Sequence, residues 1–493
     1  MATVWINDAP QQVAVGTRLS DVLSRAPHPC GGKGICGRCR IYAAGELSPL
    51  SAEEQRHLSV REIADGMRLS CCAVVQGDCR VTLPPDSVMA VVADGKVTAT
   101  ATRPTFAAYG AAVDIGTTTL AARLYDTAGR LLAQDGCANP QITFGADVLS
   151  RVQAAGEGKD LTTPLQRAVN GLLSRLADTA GIHPAAIDGA VVTGNTAMLC
   201  FLSGTDPTPL SRAPFSLPHS FNETVTAAAI GLTSLAPNRA VYLPPCASAF
   251  IGADALCAAL ACDMWDGRTA LLADMGTNGE MLLSHKDTLY ACSTAAGPAF
   301  EGVGISCGMP AVTGAVDGVA LVNGGLIPHV IGGGRAEGIC GSGLVDAAAC
   351  LLALEEMDES GCLGAHAIPL CEGMYLTQED IRALQQAKSA VCAGLMTLLH
   401  HSNLPAEAVE VLYTAGGFGS RLNGRSAAAI GLLPCGLSLR IEPAGNAALD
   451  GAARLLLERS AREQLTALAE KTRVIELATD PYFADQFIKN MAF

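Results

Sequence analysis

The feature that most constrains the fold of this chain is a short arrangement that occurs twice. Residues 112–126 and residues 271–280 each read as an apolar run, an aspartate, a Gly-Thr turn and the start of a second run. Each copy predicts a β-hairpin, because turn residues between two β-prone segments favour a tight reversal of the chain. Two similar units in one chain predict two similar lobes.

Each predicted lobe also contains a later apolar strand that ends in a glycine-rich turn. Residues 190–195 end in Thr-Gly-Asn, and residues 411–419 end in Gly-Gly-Phe-Gly. We expect a helix after each turn, so that backbone N–H groups at its start face a cleft between the lobes. Hydroxyl and N–H groups in such turns can bind phosphate, and an aspartate at a strand end can hold Mg²⁺ through water. An ordinary hairpin remains the alternative for either copy taken alone.

A second constraint lies near the N-terminus, where Cys30, Cys36 and Cys39 have the spacing C-x5-C-x2-C. One tight loop can wrap three thiolates around a two-iron cluster while a distant segment supplies the fourth. The loop glycines allow positive φ and close approach of the backbone to a cluster. These glycines are Gly31, Gly32, Gly34 and Gly37. Zinc sites favour paired C-x2-C knuckles and only one is present in this sequence, but zinc or structural cysteines remain alternatives.

The fourth cysteine is ambiguous, because Cys71 and Cys72 are adjacent and Cys79 follows closely. Neighbouring residues of a strand point to opposite faces, so Cys71 and Cys72 are not both expected to face a cluster.

Residues 1–85 are predicted to form one unit around these cysteines. We expect strands at Thr3–Ile6, Gln12–Val15, Arg40–Ala43 and Cys72–Leu83, and a helix at Arg18–Arg25 capped by Thr17. This order resembles the β-grasp of two-iron ferredoxins. Residues 86–108 are expected to be a linker, followed by one lobe over residues 109–265 and another over residues 266–493.

The composition argues against several classes of function. A formal net charge of −14 argues against nucleic acid as a partner. The chain does not begin with a basic region followed by an apolar stretch, and the apolar run at 249–262 is short and contains Asp254. We therefore expect neither a signal peptide nor a membrane span. An odd count of 19 cysteines spread along a long chain indicates reduced thiols in the cytoplasm.

Several longer strings narrow the family. They are Asn139-Pro140-Gln141, residues 144–148 with Arg151, residues 194–198, residues 295–302 and residues 445–451. The repeat resembles the acetate/sugar kinase, heat-shock chaperone and actin (ASKHA) superfamily, whose fold pairs two RNase H-like lobes around ATP. Together with the cysteine loop, nearly the whole chain resembles the reductive activators of corrinoid-dependent methyltransferases.

The resemblance implies an α/β and α+β multidomain fold, with an N-terminal β-grasp [2Fe–2S] ferredoxin followed by a two-lobed, actin-like ATPase. The implied activity is ATP-dependent transfer of one electron to an inactive Co(II) corrinoid, which returns it to Co(I). The implied cofactors are a [2Fe–2S] cluster, ATP and Mg²⁺. The implied partners are a corrinoid protein of a methyltransferase system and an upstream low-potential electron donor, and a homodimer is compatible with the family.

The resemblance also implies roles for particular residues. The cluster ligands are Cys30, Cys36, Cys39 and Cys71, with Cys72 buried or half-buried. Asp114 and Asp274 position Mg²⁺ and water. Glu301 either orients the attacking water or caps backbone groups. The residues expected near the nucleotide are Gly116, Thr117, Thr118, Gly276, Thr277, Asn278, Gly279, Gly341, Ser342, Gly343, Gly416, Gly417 and Gly419. Asp147 and Arg151, four residues apart on a predicted helix, are expected to form a helical ion pair.

Three alternatives remain open at this point. The chain could be an ATP-driven activator of another low-potential enzyme. It could be a small-molecule kinase with a redox-sensing domain, or a redox-regulated binding protein in which nucleotide is only a structural ligand.

Overall fold

The computed structural model describes most of the chain. The described residues are 1–6, 9–23, 34, 37, 39–58, 60–82, 103–371, 373–437 and 440–493. Cys30, Cys36, Gly31 and Gly32 therefore lie outside the described residues.

The N-terminal region folds around a mixed sheet of five strands in the order β2-β1-β5-β3-β4. Its strands are β1 (Ala2–Ile6), β2 (Ala9–Val13), β3 (Arg40–Leu47), β4 (Met67–Leu69) and β5 (Val75–Thr82), and its helices are α1 (Leu19–Val22), α2 (Ala52–His57) and α3 (Val60–Ala64). The first strand pairs in parallel with β5, and the other neighbours are antiparallel. Its core contains Val4, Leu19, Ile41, Val75 and Val81.

Two expectations for this region were wrong. Helix α1 begins after Arg18 and receives no side-chain cap from Thr17. Cys71 and Cys72 lie in a turn before β5 rather than in a strand, so the alternation of strand faces does not apply to them. Leu83, the predicted end of that strand, lies outside the described residues.

The rest of the chain contains two six-stranded sheets that share the same arrangement of five strands. The first sheet has the order β10-β11-β9-β6-β7-β8 and the second β21-β20-β12-β13-β14-β22. The strands of the first sheet are β6 (Tyr109–Ile115), β7 (Thr119–Asp126), β8 (Leu131–Ala138), β9 (Ile187–Gly194), β10 (Glu223–Thr226) and β11 (Ala240–Leu243). Those of the second are β12 (Ala270–Met275), β13 (Gly279–His285), β14 (Thr288–Thr294), β20 (Val411–Ala415), β21 (Arg440–Gly445) and β22 (Thr472–Val474).

In each sheet three antiparallel strands are followed by two strands that run parallel to the first one. The sixth strands differ, because β10 pairs antiparallel with β11 at one edge and β22 pairs in parallel with β14 at the opposite edge. The shared arrangement of five strands confirms the repeat predicted from the two Asp-x-Gly-Thr segments. Smaller strands flank the second sheet, namely β15 (Ala315–Val322), β16 (Gly325–Val330), β17 (Gly338–Ile339), β18 (Ala367–Cys371) and β19 (Met374–Thr377).

Helices cover both sheets. They are α4 (Val148–Gly156), α5 (Thr162–Ala180), α6 (Thr196–Ser203), α7 (Ala253–Ala261), α8 (Gly341–Ala353), α9 (Gln378–Ser402), α10 (Gly416–Gly419), α11 (Gly424–Ala429), α12 (Ala447–Leu457), α13 (Arg459–Glu470) and α14 (Pro481–Lys489). Within the described part of the chain, no helix is both long and apolar enough to cross a membrane.

Helices α7 and α12 share one core with both large sheets. That core joins Ala112 and Val191 of the first sheet to Leu272 and Leu282 of the second. The two helices approach closely because Gly451 of α12 has no side chain. A Cβ there would lie 2.0 Å from the carbonyl oxygen of Cys257. Helices α7 and α12 therefore pack tightly against each other between the two sheets.

Residues 103–108 are held against the lobes. The Thr105 N–H donates to the carbonyl oxygen of Leu456 over 2.9 Å, and Arg459 N donates to Arg103 O over 3.0 Å. Phe106 is buried in the core between the sheets. The last part of the predicted linker is thus packed onto the C-terminal end of α12.

Candidate functional site

Two aspartates at strand ends mark the floor of the cleft. Asp114 lies near the end of β6 and Asp274 near the end of β12. The Asn446 side chain, which also caps α12, donates from Nδ2 to Asp114 Oδ2 over 3.0 Å. Gly416 approaches Asp274 so closely that a Cβ would lie 2.7 Å from its Oδ1, and its φ is +76°. The first turn of α10 is therefore packed against the second aspartate.

The sequence interpretation missed two further acids of this cluster, Asp254 and Glu280. Asp254 is in the first turn of α7, and Glu280 pairs directly with Asp274 across β12 and β13. Asp254 was visible as the only carboxylate in an apolar run, and Glu280 as the acid that ends the second repeat.

Burial, and then the charge of neighbouring acids, raises the pKa values of this cluster. Burial, followed by the charge of Asp254, raises the pKa of Asp114 to about 7. Burial raises the pKa of Asp254 to about 7 and that of Asp274 to about 6. Burial, followed by the charge of Asp254, also raises the pKa of Glu280. A bound cation would relieve this repulsion.

The donor set suits Mg²⁺, which prefers oxygen ligands and usually keeps several of its waters. Across the described residues, no three His, Cys, Asp or Glu side chains are arranged to hold a metal ion directly.

The two hairpin turns carry hydroxyl and amide groups at the same cleft. In the first turn Gly116 N donates to Thr119 O over 2.9 Å, and Asn139 Nδ2 donates to Gly116 O over 2.8 Å. Asn195, the cap of α6, donates from Nδ2 to Thr117 Oγ1 over 3.1 Å. In the second turn Gly276 N donates to Asn278 O over 3.1 Å. Both turns are thus held in place by their own hydrogen bonds.

Glu301 connects the two turns. Its Oε1 accepts hydrogen bonds from Thr277 N over 2.9 Å and from Thr277 Oγ1 over 3.0 Å. Its Oε2 accepts one from Thr118 Oγ1 over 3.3 Å. One carboxylate therefore engages a donor from each lobe.

A cavity of about 790 Å³ lies beside the turn that ends at Gly419. It is lined by Thr414, Gly419, Leu422, Asn423, Gly424, Arg425, Ala428, Leu433, Pro434, Leu437, Ile441 and Pro443. The mixture of apolar walls with a few polar groups is typical of small-molecule pockets. Gly416 and Gly419 thus separate the acidic cluster from this cavity, while Gly417 is exposed.

The Gly341-Ser342-Gly343 turn is buried at the start of α8. A Cβ at Gly341 would lie 2.1 Å from Phe300 O, and one at Gly343 would lie 2.3 Å from Val316 O. Ser342 Oγ donates to Asp317 O over 2.8 Å. Close packing against the backbone of Phe300, the residue before Glu301, accounts for Gly341, and close packing against the backbone of Val316 accounts for Gly343.

The cysteine site is partly described. The Sγ atoms of Cys39 and Cys71 lie 3.1 Å apart, and both side chains are buried. Their hydrogen bond lowers the pKa of Cys39 to about 6 and raises that of Cys71. Cys72 is half-buried, with its Sγ 3.7 Å from that of Cys71.

The backbone near these sulfurs has the predicted glycine conformation. Gly34 has φ +73° and Gly37 has φ +62°. A Cβ at Gly37 would lie 2.9 Å from the His57 ring. Paired buried sulfurs beside a loop with positive φ fit a cluster bound by thiolates.

The predicted helical ion pair between Asp147 and Arg151 was wrong. Asp147 caps α4, and its Oδ1 accepts a hydrogen bond from Ser150 N over 2.9 Å. Arg151 instead donates from Nε to Gly145 O over 2.9 Å. An N-cap aspartate turns its side chain toward the first helical N–H groups, which removes it from the arginine one turn later.

Comparison with protein families gives two matches that together span the two lobes. Residues 109–266 match the model described as RACo middle region, and residues 268–493 match the model described as C-terminal domain of RACo, the ASKHA domain.

Comparison with curated proteins finds relatives along much of the chain. The chain is 33% identical over 420 residues to the corrinoid activation enzyme RamQ of Eubacterium limosum, covering 78% of this chain and 70% of that protein. It is 30% identical over 281 residues to the [Co(II) methylated amine-specific corrinoid protein] reductase of Methanosarcina barkeri, covering 52% of each. A stretch of 89 residues is 32% identical to one component of the Na(+)-translocating NADH-quinone reductase of Neisseria gonorrhoeae, covering 17% of this chain and 22% of that protein.

Comparison with solved structures finds a reductive activator for corrinoid, iron-sulfur protein. It matches with a TM-score of 0.70 and 27% sequence identity, covering 100% of this chain and 98% of the other.

Proposed function

Because this chain belongs to the family of reductive activators of corrinoid proteins, we propose that it restores an inactive Co(II) corrinoid to Co(I) by ATP-dependent transfer of one electron. Its partner is then the corrinoid protein of a methyltransferase system. An upstream low-potential donor must supply each electron that is passed on.

The cysteine residues are proposed to hold the electron carrier. A [2Fe–2S] cluster, when bound, supplies a one-electron donor. Cys39 and Cys71 are supported as ligands by burial and by the 3.1 Å separation of their sulfurs. Cys30 and Cys36 follow from the sequence spacing.

The cleft between the lobes is proposed to bind MgATP. Asp114 and Asp274 would face a hydrated Mg²⁺, and the turn residues Thr117, Thr118 and Thr277 would donate to phosphate oxygens. The remaining turn residues, Gly116, Gly276, Asn278 and Gly279, would shape this contact. Adenosine would occupy the cavity beside Gly419, with Gly416 and Gly417 between the base and the phosphates.

The observation that carries the proposal is the position of Glu301, which engages Thr118 of one lobe and Thr277 of the other. A phosphate chain that binds the same donors would contact both lobes at once. Gly341 would contribute by fixing the backbone of Phe300, one residue before Glu301, while Ser342 and Gly343 would fix the start of α8 against Asp317 and Val316.

The free energy available from a nucleotide-driven change between the lobes is comparable to the cost of this electron transfer. A gap of about 240 mV for one electron corresponds to roughly 5.5 kcal/mol, at about 59 mV per tenfold change. About 5.5 kcal/mol of differential binding also moves a two-state equilibrium from 1:99 to 99:1. Nucleotide binding can therefore offset an uphill electron transfer of this magnitude.

The test follows the visible spectrum of a Co(II) corrinoid protein from the same genome, under anaerobic conditions, with the chemically reduced activator. We expect the Co(I) band to grow with MgATP and to stay absent without it. Growth at full rate without nucleotide would refute the ATP dependence. Absence of Co(I) with a fully loaded cluster and MgATP would refute the pairing with that corrinoid protein.

A further inference from the structure

Arg151 is a buried cation that the proposed activity does not yet use. It lies on α4 and its side chain is 0% exposed. Nε donates to Gly145 O, but neither Nη1 nor Nη2 has a hydrogen-bond partner among the described residues. A buried charge with unsatisfied donors is costly, and such groups are usually paired.

Two carboxylates, those of Asp147 and Glu301, act electrostatically on Arg151, and Glu301 lies in the cleft. Burial lowers the pKa of Arg151 to about 10, and the charges of Asp147 and then Glu301 oppose that effect. The guanidinium is therefore protonated at neutral pH. Asp147 is engaged in capping α4, which leaves Glu301 as the other carboxylate that acts on this cation.

Glu301 now occupies donors that phosphate groups would need. Its oxygens engage the Thr277 N–H and the hydroxyls of Thr277 and Thr118. Two anions cannot share these donors without strong repulsion, so binding of phosphates requires the carboxylate to leave. A displaced carboxylate in a cleft needs a new positive partner.

The backbone around Glu301 can accommodate such a movement. Glu301 ends the short 3-10 helix Pro298–Glu301, which is flanked by Gly297 with φ +79° and Gly302 with φ +71°. A Cβ at Gly297 would meet no atom within 4 Å, so this side of the short helix has open space. Glycines at both ends allow backbone angles that other residues rarely adopt.

We propose that Arg151 is a positioning residue that receives the Glu301 carboxylate when nucleotide phosphates take Thr118 and Thr277. The inference rests on the proposed nucleotide site. It makes Arg151 the partner that allows phosphates to displace Glu301, and it places that carboxylate beside α4 when both hairpins hold the nucleotide.

The test compares Arg151→Met, Glu301→Gln and the double variant in full-length protein. Binding of a non-hydrolysable ATP analogue with Mg²⁺ is measured by isothermal titration calorimetry. Arg151→Met should weaken binding at least tenfold, because the Glu301 carboxylate then has no partner to move to. In the Glu301→Gln background the same change should alter affinity less than twofold, since a neutral amide needs no cation.

An equal loss of affinity in both backgrounds would overturn the proposal, because Arg151 would then act without Glu301. Unchanged affinity of Arg151→Met would overturn it as well. If the wild-type protein bound no Mg-nucleotide, the proposed function itself would fail, so the two failures are distinguishable.

Thermal unfolding of the nucleotide-free protein provides a second measurement. Arg151→Met removes a buried charge with two unsatisfied nitrogens, so its Tm should equal or exceed that of wild type. Arg123→Met is the matched control, because Arg123 is equally buried but paired with Asp450. Its Tm should fall by several °C. A comparable fall for Arg151→Met would show that the guanidinium is already paired and would overturn the proposal.

Discussion

Asp114→Asn should stabilise the nucleotide-free protein at pH 8 while abolishing its ATP-dependent function. Burial and the charge of Asp254 raise the pKa of Asp114 from 3.8 to about 7. At about 1.4 kcal/mol per pKa unit, keeping this carboxylate ionised costs roughly 4 kcal/mol. Solvent in the cleft screens part of this cost, so we expect about 2 kcal/mol.

The pH dependence has a definite sign. Between pH 4 and pH 7 the folded state holds a proton on Asp114 that the unfolded state has lost, so stability falls as pH rises through this window. The asparagine resembles the protonated acid and lacks this slope. The advantage of the variant over the wild type should therefore begin near pH 4, be small at pH 5 and reach its full size by pH 8.

The assay is thermal unfolding of the nucleotide-free protein at pH 5 and pH 8. We expect the Asp114→Asn variant to gain a few °C at pH 8 and clearly less at pH 5. Asp178→Asn, the same change at an exposed site on α5, serves as the control and should show no such difference. A gap that is absent at pH 8, or equal at both pH values, would refute the interpretation of the acidic cluster.

The same experiments can be extended to nucleotide and cluster binding. Binding of MgATP near pH 6.5 should release protons, because a cation lowers the raised pKa values of the clustered acids. Calorimetry in two buffers of different ionisation enthalpy measures this, and net proton uptake would contradict it. Cys71→Ser should lose the visible spectrum of the cluster but retain nucleotide binding, whereas Cys72→Ser should retain both. Loss of the spectrum in both variants would contradict the assignment of Cys71. Gly341→Ala should lower Tm by several °C, because its Cβ would lie 2.1 Å from Phe300 O. A wild-type Tm would show that this backbone can yield.

The two lobes could be predicted because their signal is repeated and local. A strand, an aspartate and a Gly-Thr turn are contiguous in the sequence, and the shared arrangement of five strands confirms what the repeat implied. The acids of the cleft are different. Asp254 and Glu280 reach Asp274 only through the packing of α7 and the register of β13, which no local pattern encodes.

Two elements of the N-terminal region differ from the sequence prediction. The strand prediction extended β5 back to Cys72, although residues 70–72 form a turn. Helix α2 was missed despite a capping box, in which Ser51 and Glu54 satisfy each other's backbone N–H groups. That pattern was readable in the sequence as Ser-x-x-Glu.

Arg151 shows the limit of a rule based on spacing. Residues four apart on a helix attract when both side chains lie on its surface. Here the helix begins at the aspartate itself, and the arginine turns inward to the carbonyl of Gly145. The position of the helix start, rather than the spacing, decided the outcome.

Helix α12 connects two distant parts of the structure. Asn446 at its beginning touches Asp114 on the floor of the cleft, and Leu456 near its end holds Thr105. An 11-residue helix spans about 16 Å. Thr105 belongs to the segment by which the cysteine-bearing region enters the lobes. The same helix therefore contacts both the floor of the cleft and this segment, so a change in its tilt would move both contacts.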